Sequence, residues 1–152
     1  MKVFADENIP FAKEAFGEWG QVVTGPGRTL TSDRLKDVDV LIVRSVTRVG
    51  PELLEGTSVR FVGTCTIGTD HIDVDYLRQR GIGFASAPGS NAESVAEYVV
   101  AASLTLAERR GMDLSGQRIG VVGVGNVGSR VARNAEALGM QVLLNDPPLQ
   151  RA

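Results

Sequence analysis

This sequence is short of the residues that do most protein chemistry unaided, holding a single cysteine, Cys65, and a single histidine, His71. One cysteine excludes a disulfide framework within the chain and suits a reducing cytoplasm. One cysteine with one histidine leaves too few ligands for a zinc site, so no metal is expected. Aromatic residues are sparse at 5%, and 16 Lys and Arg are nearly balanced by 18 Asp and Glu, for a net charge of −2. That balance offers no basic face to nucleic acid and no charged run to a polyanion. Nothing approaches the roughly 18 uninterrupted apolar residues of a membrane span. The N-terminus turns acidic at Asp6-Glu7 after a short apolar start, unlike a signal peptide. What is present is 43% hydrophobic content over 152 residues, enough for a real core and best suited to small-molecule chemistry.

The apolar runs are of strand length and alternate with helical patterns. Strands are expected at Lys2 to Ala5, Gln21 to Thr24, Val38 to Val43, Val59 to Thr64 and Gly83 to Ser86. Between them, Pro10 predicts the first turn of a helix reaching Trp19, Thr31-Ser32-Asp33 caps a short helix through Leu35, and Pro51 opens another. A fourth helix is expected from Val74 to Arg80. Near-continuous apolar strands separated by helices predict a parallel sheet covered on both faces. Pro88-Gly89-Ser90-Asn91 marks a break, dividing the chain into residues 1–90 and 91–152. A long helix then runs to Arg109-Arg110-Gly111 with Ala92, Val95, Ala96, Val99, Val100, Ser103, Leu104 and Ala107 on one face.

Two polar loops follow strands and should face each other at the carboxyl end of the sheet, where open α/β folds bind ligands. The first, Arg44-Ser45-Val46-Thr47-Arg48, offers guanidinium forks and hydroxyl donors to an anion. A solvated loop whose hydroxyls cap the Pro51 helix fits the same residues, and both readings stand open. The second loop runs from Cys65 to Asp73. His71 suits a general base by its ordinary pKa, but its place beside Asp70 and Asp73 at a helix start favours a capping role. Cys65 reads as a small packed residue, since no second base accompanies it.

Gly120 to Gly128 is an apolar strand entering a glycine turn and then a helix, the pattern of a dinucleotide-binding fingerprint. Gly123 permits the turn, Gly125 lets a pyrophosphate approach the backbone, and Gly128 lets the helix pack on the strand. The next strand, Gln141 to Asn145, ends in Asp146, which suits the adenosine ribose hydroxyls and disfavours a 2′-phosphate, pointing to NAD. The competing reading makes Asp146 a turn residue before Pro147-Pro148.

With these residues assembled, the whole chain resembles the D-isomer-specific 2-hydroxyacid dehydrogenase family. The resemblance runs through Asp6-Glu7-Asn8, Pro26-Gly27-Arg28, Val43-Arg44-Ser45-Val46-Thr47, Phe61-Val62-Gly63-Thr64, Gly68-Thr69-Asp70-His71, Ala87-Pro88-Gly89-Ser90-Asn91-Ala92, Val95-Ala96-Glu97-Tyr98-Val99, Gly123 to Ser129 and Asp146-Pro147-Pro148. The Arg44 loop and the Asp146-Pro147-Pro148 ending look specific to its 4-phosphoerythronate branch. The resemblance implies a flavodoxin-like parallel-sheet substrate domain followed by the first half of a Rossmann domain. It implies that Ser45 and Thr66 contact a small phosphorylated hydroxy acid with Arg44 nearby, and that Asn126, Val127 and Asp146 join the fingerprint glycines in holding NAD. The implied reaction oxidises a 2-hydroxyl to a 2-oxo acid in vitamin B6 biosynthesis, in a cytoplasmic homodimer. In that family the catalytic histidine, arginine and carboxylate lie beyond the second nucleotide-domain strand. No catalytic residue is therefore expected here, His71 does not hold the histidine's place, and the chain reads as an inactive N-terminal portion. A non-catalytic NAD-responsive module and a 2-hydroxyacid dehydrogenase of other specificity are the alternatives.

Overall fold

The computed structural model describes residues 1–147. The chain divides into two compact units, Met1–Pro88 and Gly89–Ala152. In the first, five strands, β1 (Lys2–Asp6), β2 (Gln21–Gly25), β3 (Val40–Val43), β4 (Phe61–Thr64) and β5 (Gly83–Ala85), form one sheet in the order β2-β1-β3-β4-β5. Every pairing is parallel. This is the flavodoxin-like order expected, with the direction of winding reversing between β1 and β3.

Alternation along the strands sorts the core onto two faces. Phe4, Leu41, Val43 and Val62 enter the larger cluster, with Leu35, Leu53, Leu54 and Leu77 from the covering helices. Val3, Ala5 and Ile42 point the other way, against Ala12. The larger face is covered by α2 (Pro51–Leu54), α3 (Val74–Gln79) and a 3-10 turn at Ser32–Leu35. The smaller is covered by α1 (Ala12–Phe16).

Local starts and stops differ from the sequence expectation in places. Helix α1 begins after Phe11, which sits at φ 59°, so Pro10 lies in the preceding turn rather than inside the helix. The chain then tightens into a 3-10 turn, Gly17–Trp19. Thr31 precedes a 3-10 turn without a side-chain capping bond. Strands β3 and β4 start at Val40 and Phe61. Val38 and Val59, expected as their first residues, are buried in the connections before them.

The second unit holds α4 (Ala92–Arg110), β6 (Arg118–Val122), α5 (Gly128–Ala137) and β7 (Gln141–Asn145). Helix α4 ends on Gly111 at φ 60°, a left-handed stop that glycine adopts without steric cost. It packs on α5, where Glu93 pairs with Arg130 and Arg133 at 2.9 and 3.2 Å. Of its expected apolar face, Ala92, Ala96 and Ala107 are buried, but Leu104 is exposed. Strands β6 and β7 pair in parallel around α5, and among the described residues they pair only with each other. Val122, Leu143 and Leu144 are left exposed on this two-stranded sheet.

Leu41 is fully buried in the middle of the first sheet. Leu41→Ala is expected to lower the unfolding free energy by about 2–5 kcal/mol. The measurement is the urea midpoint at unchanged slope, and a loss under about 0.5 kcal/mol, as at a surface site, refutes this placement.

Candidate functional site

Because the first sheet is wholly parallel, the segments leaving β1, β2, β3 and β4 emerge along one edge. Asp6, the last residue of β1, is buried at 1% exposure, which demands local compensation for a carboxylate. Its Oδ1 accepts from the Asn8 backbone N–H at 2.8 Å and from Asn8 Nδ2 at 3.3 Å. Arg44, just past β3, brings Nη1 to 3.7 Å from the same oxygen. Asp6 and Arg44 therefore stand on the two strands where the winding reverses, the place where open α/β sheets take ligands. Asp6, Asn8, Gly27, Arg28, Arg44 and Val46 line a surface depression there.

Gly27 is required by closeness. A β-carbon at that position would run into both Asp6 Oδ2 and Thr47 Oγ1. Those two atoms are buried, and neither has a hydrogen-bond partner. Sequence reasoning missed Asp6, Gly27 and Thr47 as a cluster. The only signal was an acid placed directly after an apolar strand.

The Arg44 loop is tied to the second loop as expected. Cys65 N–H donates to Val43 O at 2.9 Å, Val49 N–H to His71 O at 2.8 Å, and Asp73 N–H to Val49 O at 2.8 Å. Ser45 is exposed and Thr66 half-buried. The capping alternative for the first loop has no support here, since Gly50 occupies the N-cap of α2 with no side-chain bond. Capping at α3 falls to Asp73, whose Oδ1 accepts from Tyr76 N–H at 2.9 Å. His71 instead places Nε2 2.9 Å from Thr64 Oγ1. Burial pushes the His71 pKa down, with the Asp70 charge opposing, which favours the neutral ring. Cys65 is exposed rather than packed as expected, and desolvation pushes its thiol pKa up, which disfavours the nucleophilic thiolate.

In the second unit the glycine turn has the geometry its sequence demands. Gly123 sits at φ +86°, and its N–H donates to Asn145 O at 2.9 Å. A β-carbon on Gly128 would collide with the Gly123 carbonyl and press on Val121, so only glycine lets α5 start this close to β6. Gly125 faces open space, and the backbone N–H groups of Gly125, Asn126 and Val127 have no backbone partner among the described residues. Val127 is the N-cap of α5. The Asn126 side chain rests against Gly89, and the Asn126 backbone carbonyl accepts from Arg130 Nη1 at 2.7 Å. Asp146 Oδ2 accepts from Val124 N–H at 2.6 Å, fastening the turn to the end of β7. The expected Asp146-Pro147-Pro148 ending reaches Pro148, which lies outside the described residues. Among those residues no group of three or more His, Cys, Asp or Glu is placed to hold a metal, and no helix is long and apolar enough to cross a membrane.

The family model for the D-isomer specific 2-hydroxyacid dehydrogenase catalytic domain matches residues 2–141. The chain belongs to this family. It is similar to proteins named erythronate-4-phosphate dehydrogenase from Salinibacter ruber, 59% identical over all of this chain and 39% of that protein, and from Chromohalobacter salexigens, 56% identical over all of this chain and 40% of that one. It thus spans about two fifths of the length of these relatives. Among solved structures, D-lactate dehydrogenase from Aquifex aeolicus, complexed with NAD and lactic acid, matches with TM-score 0.69 and 28% identity, over 98% of this chain and 54% of that one. An NAD-bound 3-phosphoglycerate dehydrogenase from Entamoeba histolytica matches with TM-score 0.71 and 29% identity, over 97% and 54%. The expected α/β fold class is therefore shared with these dehydrogenases.

The two glycines separate packing from ligand approach. Gly128→Ala is expected to cost about 1–3 kcal/mol through overpacking, whereas Gly125→Ala should stay within about 0.5 kcal/mol of the parent. Urea unfolding of both variants decides it, and equal stabilities would disprove the close contact at Gly128.

Proposed function

We propose that the chain is the N-terminal part of an NAD-dependent enzyme that oxidises the 2-hydroxyl of 4-phosphoerythronate to the 2-oxo acid, a step of pyridoxal phosphate biosynthesis. The observation that carries this reading is the Arg44–Thr47 loop at the winding reversal, in a chain 59% identical from end to end to a protein named for that substrate. Arg44 offers a charged fork to the anion, while Ser45 and Thr66 offer neutral donors that orient it. Asp6 stabilises the cationic partner from behind without meeting solvent.

The donor set in the second unit fits NAD. Gly125, Asn126 and Val127 present backbone N–H groups beside the N-terminus of α5, Gly123 and Gly128 shape the turn, and Asp146 suits the ribose hydroxyls. When bound, NAD supplies the hydride acceptor. The hydroxyl proton needs a base as the hydride leaves, a contribution typically worth about 10²–10⁴ in rate. In this reading that base, together with a substrate-binding arginine and its carboxylate partner, follows Ala152 in a longer chain. The open β6–β7 sheet and the span of about two fifths of the relatives support the same reading. A cytoplasmic homodimer is the proposed form of the whole enzyme.

Purified residues 1–152 are expected to give negligible NADH with NAD and 4-phosphoerythronate, and robust turnover refutes the missing-base reading. For the protein encoded by the complete reading frame, activity should favour 4-phosphoerythronate over glycerate and lactate. A stop codon directly after Ala152 would favour a non-catalytic NAD-responsive module instead. In the complete enzyme Arg44→Lys should raise the KM for 4-phosphoerythronate about tenfold or more while leaving the KM for NAD unchanged. An unchanged substrate KM removes Arg44 from the site.

A further inference from the structure

His71 has no part in the reaction as described, yet it sits at the head of a line of side chains. Its Nε2 is 2.9 Å from Thr64 Oγ1, and Thr64 Oγ1 is 3.4 Å from Thr66 Oγ1. The line runs from a half-exposed imidazole, through a buried hydroxyl, to the half-buried hydroxyl of Thr66. We propose that His71 is a positioning residue that sets, through Thr64, whether Thr66 turns its hydroxyl proton outward to an anionic substrate. The inference rests on the reading of Thr66 as a substrate contact.

Each threonine hydroxyl has one proton to give and two lone pairs to receive, which makes the line directional. The relay takes the neutral ring as its Nδ1–H tautomer, in which Nε2 is bare, so that Thr64 donates to the ring and its oxygen then draws the Thr66 proton inward. Thr66 is left presenting lone pairs, which repel an anion. With Nε2 protonated, Thr64 accepts from the ring and its own proton turns toward Thr66 Oγ1. The Thr66 proton is then released to point outward as a donor. The step between the hydroxyls is long for such a pair, so it is the more weakly coupled of the two.

The charged groups around the ring lean in opposite directions. Arg48, Glu52, Asp70 and Asp73 line the same depression as His71. Asp70 favours the protonated ring and burial opposes it more strongly, so the switch falls below the ordinary value of 6.5. An anion binding at Thr66 selects the protonated ring and pulls that value upward.

The test has one arm without ligand, on the 152-residue chain, and one with it, on the protein encoded by the complete reading frame. In the first, the His71 ring nitrogens and the Thr64 and Thr66 side-chain resonances are followed by NMR between about pH 5 and 8. Thr66 is expected to follow the His71 midpoint in the parent and to lose that response in Thr64→Val, which keeps the ring but removes the intervening hydroxyl. In the second, 4-phosphoerythronate is titrated at both ends of the pH range. Its phosphate titrates near pH 6 itself, so the readout is the parent's acid-side gain relative to Thr64→Val and His71→Gln. That relative gain is expected to be about two- to tenfold, the scale of one oriented hydrogen bond.

A Thr66 response that survives in Thr64→Val, or an acid-side gain equal in parent and Thr64→Val, means that the ring acts by its charge alone and overturns the relay. An unresponsive Thr66 in the parent does the same while leaving the substrate reading untouched. A responsive Thr66 with no binding at any pH overturns the substrate reading, and with it the role given to the relay. Circular dichroism of both variants identifies misfolding, in which case Thr66→Val, expected to abolish the parent's relative acid-side gain, decides; a gain retained there overturns the proposal.

Discussion

The parallel pairing of β3 between β1 and β4 is the constraint on which the first unit depends. Parallel strands cannot be joined by tight turns, so each must leave the sheet at the same edge and return through a crossover. The crossovers fill the two faces with apolar residues and leave the departing segments bare. Asp6, Gly25, Arg44 and Cys65 are therefore neighbours of one edge although the chain separates them by many residues. Where β1 and β3 are wound in opposite directions, the loops diverge and a depression opens between them.

A buried carboxylate at that point has consequences for its surroundings. Asp6 is at 1% exposure, and it is tolerated through Asn8 and Arg44 rather than through water. Gly27 must then lack a side chain, because the space a β-carbon needs is taken by Asp6 and Thr47. The same pairing restrains the guanidinium of Arg44, so an anion arriving there meets a cation whose orientation has been partly fixed beforehand.

Sequence patterns revealed the elements well wherever the pattern was periodic. The strand runs around Leu41 and Val62 were legible because a parallel strand buried on both faces is continuously apolar. Gly123 and Gly128 were legible because only glycine solves their steric problems, one a positive φ and the other a collision with a carbonyl. What stayed hidden depended on which side chains meet across the sheet. His71 looked like a cap because two aspartates flank its segment. In the fold Asp73 takes the capping bond, and His71 reaches back to Thr64, the end of the strand before it. Pro10 misled because the left-handed turn at Phe11 delays the start of the helix.

The two units place different demands on a carboxylate at a strand end. Asp6 is buried and faces a guanidinium, so it acts through a neighbouring side chain. Asp146 holds the Val124 N–H at 2.6 Å and so fixes the glycine turn through the backbone. A carboxylate has two oxygens with about four acceptor positions. In the proposed reading the acid that ties the turn is already oriented toward the ribose hydroxyls, and the turn geometry and the choice of sugar are then coupled through one side chain. Replacing Asp146 would disturb the turn that presents the N–H groups of Gly125 to Val127 as well as the proposed ribose contact, so a loss of NAD affinity in such a variant could not be assigned to the sugar alone.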